Sequence, residues 1–134
     1  QVTSSTGNIT VEGGEFSSGV TVNSSTGNVS VNGAKAEEVT VKVTTGKVSV
    51  NADCKTLSLT ATTGEVTFSE ITASDIFLKT TTGDIEGSIR GEEKDYDIEC
   101  DTSTGDCNLK NRAVDGGKKL VASASTGDIK IKFI

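Results

Sequence analysis

The sequence predicts an all-β protein, a single-stranded parallel β-solenoid of about seven coils, each about 20 residues long and wound right-handed. Three observations predict this fold. The dipeptide Thr-Gly recurs at near-regular intervals, apolar and polar residues alternate around each copy, and the 134 residues include 15 glycines but no proline. Helix-period apolar stripes are not apparent.

The Thr-Gly pairs mark the repeat unit. Their glycines follow one another at intervals of 20, 19, 18, 19, 22 and 22 residues, a period typical of solenoids. We number the repeats 1 to 7 by these glycines, which are expected to form a ladder of structural turns: Gly7, Gly27, Gly46, Gly64, Gly83, Gly105 and Gly127. We expect one domain over residues 1–134, taken from a longer protein.

Strands are predicted on both sides of each glycine. The seventh and fifth residues before it are apolar in most repeats, as Val20 and Val22 are, and so are the second and fourth residues after it, as Val29 and Val31 are. A period of two is typical of half-buried strands. An antiparallel sandwich is the rival fold, but its hairpins do not preserve one unit with equivalent inward positions.

The turn between the two strands has a fixed composition. Ser or Thr fills the two positions before each glycine, and Asn, Asp, Glu or Lys follows it. Such side chains can hydrogen-bond to the turn backbone or to the next coil. Glycine permits a positive φ and lets successive backbones approach closely. The motif therefore predicts a shape and does not name a ligand.

The loops that close the repeats are where a partner is expected first. Segments 87–95 and 110–119 lengthen two units to 22 residues, and insertions of this kind usually protrude from one face of a solenoid. Both chain ends are expected to leave strand edges unpaired. End-to-end self-association is one expected consequence of such edges.

Composition excludes several classes of function. The net charge of −6 at pH 7 argues against binding nucleic acid. No long apolar run is present, so we expect no insertion of this segment into a membrane. Histidine is absent, which excludes Ser-His-Asp and Cys-His catalysis and His-bearing zinc sites. We therefore expect no catalytic residue and no cofactor.

Three cysteines, Cys54, Cys100 and Cys107, lack metal-site spacing. Cys100 and Cys107 occupy apolar positions of repeat 6, so they are predicted to be small core residues. The alternative is a disulfide across one coil. Three free thiols would follow from the first interpretation and one from the second.

Four carboxylates follow the glycines of neighbouring repeats and form the candidate site: Glu65, Asp84, Asp106 and Asp128. Stacked coils would place them about 4.8 Å apart, close enough to attract a cation such as calcium. The interpretation we favour is that each carboxylate accepts hydrogen bonds from turn amides and faces water.

The repeated unit Ser/Thr-Thr-Gly-Asp-Ile and its variants resemble the bacterial adhesin repeat domains, a family of uncharacterised surface-associated β-solenoids, over residues 2–133. The resemblance implies a bacterial, non-enzymatic module in the extracellular space or the cell envelope, anchored by a segment outside this chain. Its partner would be a protein or glycan surface. The family offers no catalytic residues to carry over.

The second hypothesis is a polysaccharide-active enzyme, a carboxylate-based lyase or hydrolase on a β-helix. Its candidate residues are Asp84 and Asp106 with Lys79 or Arg90. An aromatic content of only 4% leaves few side chains for stacking against sugars, which favours the interaction module.

Overall fold

The computed structural model describes residues 2–16, 19–108 and 117–134. It confirms an all-β solenoid of parallel strands. The strands that precede the Thr-Gly turns form one sheet, called sheet A, and the strands that follow the turns form a second, called sheet B. Their apolar sides meet in a shared core.

Sheet A contains β1 (Val2–Thr6), β4 (Val20–Thr26), β6 (Glu38–Thr45), β8 (Thr56–Thr63), β10 (Asp75–Thr82), β12 (Tyr96–Thr104) and β13 (Lys118–Thr126). Sheet B contains β2 (Ile9–Glu12), β5 (Val29–Ala36), β7 (Val48–Asp53), β9 (Val66–Ile71), β11 (Ile85–Ile89) and β14 (Ile129–Phe133). The short β3 (Glu15–Phe16) pairs with β5, and a 3-10 turn (Glu93–Asp95) precedes β12.

Repeat 6 has no full second strand among the described residues. After its turn only an isolated bridge joins Cys107 to Ile129. The structure therefore has about six complete turns of about 19 residues, one fewer than the seven Thr-Gly pairs suggested. The right-handed winding stays a prediction.

Alternating burial explains why these segments are strands. In β8 the side chains of Leu57, Leu59 and Ala61 are at most 1% exposed, whereas the residues between them face outward. Equivalent residues stack, so that Leu59 lies between Val41 and Leu78. Burying a Leu, Ile or Val side chain contributes about 1.5–3 kcal/mol. A slip of one residue would expose the whole row, which fixes the register.

The last two repeats do not stack in sequence order. Strand β13 of repeat 7 pairs with β10 of repeat 5 on one side and with β12 of repeat 6 on the other, and β14 pairs with β11. Repeat 7 thus lies between repeats 5 and 6, and repeat 6 ends the solenoid. The expectation that successive repeats stack in sequence order was wrong here, because β13, the last strand of sheet A along the chain, is not the outermost strand of that sheet.

Cross-strand charges favour this order. Lys119 lies between Asp75 and Asp97 in sheet A, and Glu86 pairs in register with Lys130 in sheet B. Serial stacking would have placed Asp75 directly beside Asp97. Opposite charges on neighbouring strands stabilise a sheet by about 0.2–1 kcal/mol per pair, and like charges destabilise it.

Candidate functional site

Two features of each regular turn require glycine: the backbone conformation at that residue and the close approach of the turn in the neighbouring repeat. Gly64 has a φ of 143°, which L side chains rarely adopt. A Cβ placed on Gly64 would also overlap the carbonyl oxygen of Gly46 in the preceding repeat. The Gly46 N–H in turn donates to the Thr63 carbonyl at 3.0 Å. The predicted glycine ladder is therefore a set of closely stacked turns.

Asparagine after the glycine links one turn to the next. The Oδ1 of Asn8 accepts the backbone N–H of Asn28 at 3.0 Å, and the Oδ1 of Asn28 accepts that of Lys47 at 3.1 Å. Lys47 cannot continue this pattern, and its Nζ lies 3.3 Å from a carboxylate oxygen of Glu65. Both side chains are exposed, so this ion pair contributes about 0–1 kcal/mol.

Aspartate continues the linkage at the other end of the solenoid. The Oδ1 of Asp84 accepts the N–H of Asp128 at 2.9 Å, and the Oδ1 of Asp128 accepts the N–H of Asp106 at 2.9 Å. The spatial order is therefore Asp84, Asp128, Asp106. At Asp84 and Asp128 the carboxylate bonds to a turn amide, as the favoured interpretation has it. Calcium binding by the carboxylate column stays a prediction.

Cys100 and Cys107 form a disulfide across the turn of repeat 6, with Cα atoms 6.7 Å apart. The prediction that they are unbridged core residues was wrong. In repeat 5 the equivalent pair is Leu78 and Ile85, which are buried. Among the described residues no further coil covers the outer side of repeat 6, and a covalent bond joins the two positions.

Cys54 is the free cysteine of the chain. It is half-buried, and burial together with the neighbouring Asp53 carboxylate raises its pKa to about 11. A thiol with this pKa is protonated at neutral pH and is a poor nucleophile.

Asn108 covers part of the outer edge of β14. Its backbone N–H donates to the Ile129 carbonyl at 3.0 Å. Its side-chain Nδ2 donates to the Ile131 carbonyl at 3.0 Å, and its Oδ1 accepts the Ile131 N–H at 2.9 Å. One side-chain amide therefore replaces a neighbouring strand.

Tyr96 fills the end of the core beneath repeat 6. Its side chain is fully buried, its hydroxyl donates to the Ala73 carbonyl at 3.1 Å, and its ring centroid lies 5.2 Å from that of Phe133. Burial, with a smaller contribution from the Asp95 carboxylate, raises the pKa of Tyr96.

A surface depression of about 490 Å³ lies on the outer face of sheet B near this end. It is lined chiefly by Thr67, Glu86, Ser88, Lys130 and Lys132, with Gly87 and Phe68 contributing to its floor. Two ammonium groups face one carboxylate here, in a chain of net charge −6. This arrangement suits an anionic ligand that also carries hydroxyl groups. Sequence reasoning missed Lys130 and Lys132.

Residues 1–133 match the family described as Toastrack DUF4097. The chain belongs to this family. The match and the fold confirm a β-solenoid repeat family, while the adhesin assignment stays a prediction. No curated protein and no solved structure gives a significant match to the chain. A helix long and apolar enough to cross the bilayer does not occur in the described residues.

The candidate enzyme residues of this Toastrack domain lie at different places. Asp84 and Asp106 are at the turns, with repeat 7 between them. Lys79 is exposed on the outer face of sheet A, and Arg90 lies beyond the far end of β11, paired with Glu70 at 3.0 Å. The structure does not bring these four groups together. The insertion at 110–119 lies largely outside the described residues.

Proposed function

We propose that this Toastrack solenoid is a structural interaction module that binds an acidic glycan at the cell surface or in a secreted protein. The observation that carries the proposal is the depression containing Lys130 and Lys132 on the outer face of sheet B, beside a row of Ser and Thr side chains. An adhesive role follows if the glycan belongs to another cell or surface.

The rigidity of the solenoid supports this role. Each inner strand is hydrogen-bonded on both sides, which holds the outward side chains about 4.8 Å apart along the axis. The row leading to the depression contains Thr10, Ser30, Ser49 and Thr67. A repeating ligand meeting a fixed row of this kind loses less entropy than one that must order its site.

The charge of the depression selects the ligand class. Lys130 and Lys132 are exposed on the same side of β14. Lysine ammonium groups form charge-assisted hydrogen bonds with carboxylates. A uronate-containing oligosaccharide supplies carboxylates together with the hydroxyl groups that Thr67 and Ser88 can bind.

Isothermal titration with an oligouronate and with a neutral oligosaccharide of equal length tests the proposal. We expect saturable binding of the oligouronate and at least about tenfold weaker binding by K130Q/K132Q, since each charged hydrogen bond contributes about 1.5–3 kcal/mol. The matched control K42Q removes an exposed lysine from sheet A and should bind normally. Equal affinity of all three proteins, or no saturation, contradicts the proposal. Cleavage of the oligouronate would favour the enzyme.

The disulfide supports the proposed location. Bonds such as Cys100–Cys107 form and persist in oxidising compartments and are rare in the cytosol. Alkylation of protein taken directly from its native cells, followed by denaturation and mass spectrometry, should label one cysteine per chain. Three labelled cysteines would contradict an extracellular or envelope location.

A further inference from the structure

An exposed phenylalanine and a half-buried valine beside it interrupt the polar outer face of sheet A. The row that lies six positions before the glycines reads, in spatial order, Thr21, Thr40, Ser58, Phe77, Val121 and Glu99. Phe77 is 40% exposed, and Val121 is its register partner in the inserted repeat. Three repeats carry a hydroxyl side chain at the position where repeats 5 and 7 carry Phe77 and Val121. A strand can therefore form here without an apolar side chain at this position.

Opposite charges flank Phe77 on its own strand. Asp75 and Lys79 lie two residues to either side of Phe77 in β10, and all three side chains are exposed on the outer face. Within the part of the chain that the structure describes, neither Asp75 nor Lys79 forms an ion pair. The strand thus presents an acid, an aromatic ring and a base in a line.

We propose that this face is the interface of a homodimer. A two-fold interface must be self-complementary. A two-fold axis parallel to the solenoid axis and passing over Phe77 reverses the line of three side chains. Asp75 then faces the partner's Lys79, Lys79 faces the partner's Asp75, and the two Phe77 rings meet between these ion pairs.

Neighbouring positions are compatible with this arrangement over three repeats. Along the same axis Val121 faces the partner's Val121 above the aromatic contact, and Ser58 faces the partner's Ser58 below it. Sheets stacked face to face lie about 10 Å apart, a distance that two opposed phenylalanine side chains can span. In β12 Glu99 would face the partner's Glu99 and Asp97 the partner's Asp101, and the sheet twist carries this strand and its like charges away from the contact. The interface is therefore centred on repeats 4, 5 and 7.

The first test is sedimentation velocity over a range of protein concentrations. We expect the wild type to dimerise reversibly and F77T to have a dimer dissociation constant at least about tenfold higher, since a central aromatic anchor dominates such interfaces. Threonine occupies this row position at Thr21 and Thr40, so F77T should fold. T40S, in the same row but outside the contact, is the control. A wild type that stays monomeric, or F77T that dimerises equally well, overturns the proposal.

Charge reversal tests the symmetry itself. D75K and K79D should each weaken homodimerisation because like charges then meet at two places, whereas an equimolar mixture of the two variants should form a heterodimer with both ion pairs restored. The double variant D75K/K79D should regain the homodimer. Thermal unfolding at a concentration where the wild type is monomeric checks that each variant is folded. Folded single variants that dimerise normally, or that do not pair on mixing, overturn the two-fold arrangement.

Discussion

The Thr-Gly turns of the inner repeats and the turn of repeat 6 follow a similar backbone course but are stabilised by different interactions. A turn such as that of Gly64 has a neighbouring coil on each side and is held by stacked glycines, backbone hydrogen bonds and a buried apolar pair. In the part of the chain that the structure describes, repeat 6 has a neighbouring coil on one side only. There the Cys100–Cys107 disulfide, the Asn108 side chain and Tyr96 supply additional contacts. Since each repeat of a solenoid is stabilised mainly by its neighbours, the last one needs additional bonds.

The largest expected effect is on a glycine of an inner turn. G64A should lower the free energy of unfolding by more than about 4 kcal/mol, because the Cβ overlaps the Gly46 carbonyl and the positive φ is strained. G7A is the matched control, since Gly7 has a φ of 120° but nothing within 4 Å of its Cβ position. Urea unfolding should show a cost of about 1–3 kcal/mol for G7A. Equal costs would mean that the stacking contact is unimportant.

Removal of the disulfide should have the next largest effect. C100A/C107A should lower the free energy of unfolding by about 2 kcal/mol, because the bridge restricts a short loop in the unfolded chain. Hydrogen exchange should rise mainly in β12 and at Asn108. C54A keeps the bridge and is the control for loss of a cysteine side chain. A double variant as stable as the wild type would show that the disulfide does not stabilise repeat 6.

A smaller effect is expected at the two asparagines that link coils. N108A removes two hydrogen bonds with Ile131, whereas N28A removes one with Lys47. At about 0.5–1.5 kcal/mol for each bond, N108A should be the more destabilising, with faster exchange of the Ile131 amide. A larger loss in N28A would show that the end of the solenoid does not depend on the Asn108 side chain.

Near neutral pH, ionisation of the free Cys54 thiol should have the smallest effect on the free energy of unfolding, whereas loss of the Cys100–Cys107 bridge lowers it at any pH. The pKa of Cys54 rises from 9.0 to about 11 on folding, so well below pH 9 the thiol is protonated in both the folded and the unfolded state. Between pH 9 and pH 11 the unfolded state loses its proton first, and the free energy of unfolding should fall. Tyr96 adds a similar decline beginning near its ordinary pKa of 10. C54A should be less sensitive to pH over the lower part of this window, and an identical pH profile would contradict burial of the thiol.

The repeat was predictable from the sequence because it depends on local chemistry. Period-two apolar residues specify strands, and an invariant glycine specifies a tight stacked turn. The order of repeats 5, 7 and 6 depends instead on pairing between distant strands. Its signal was present in the sequence, since Lys119 suits a position between Asp75 and Asp97, but period alone gives no reason to depart from serial order.

The disulfide and the depression were less predictable, because both depend on which residues become neighbours in the folded chain. Cys100 and Cys107 fall at two positions that face each other across a turn, which is the geometry a disulfide needs, yet small apolar residues fit there equally well. The depression depends on Lys130 and Lys132 lying beside Glu86 and Ser88. That neighbourhood exists only because repeat 7 is inserted next to repeat 5.

The most direct test of the account is the pairing of β10, measured by backbone nuclear Overhauser effects in the isotope-labelled protein. The inserted order predicts interstrand contacts between Phe77 and Val121 and between Leu78 and Ala122. Contacts from Phe77 to Glu99 and from Leu78 to Cys100, with none to β13, would show serial stacking and contradict the account.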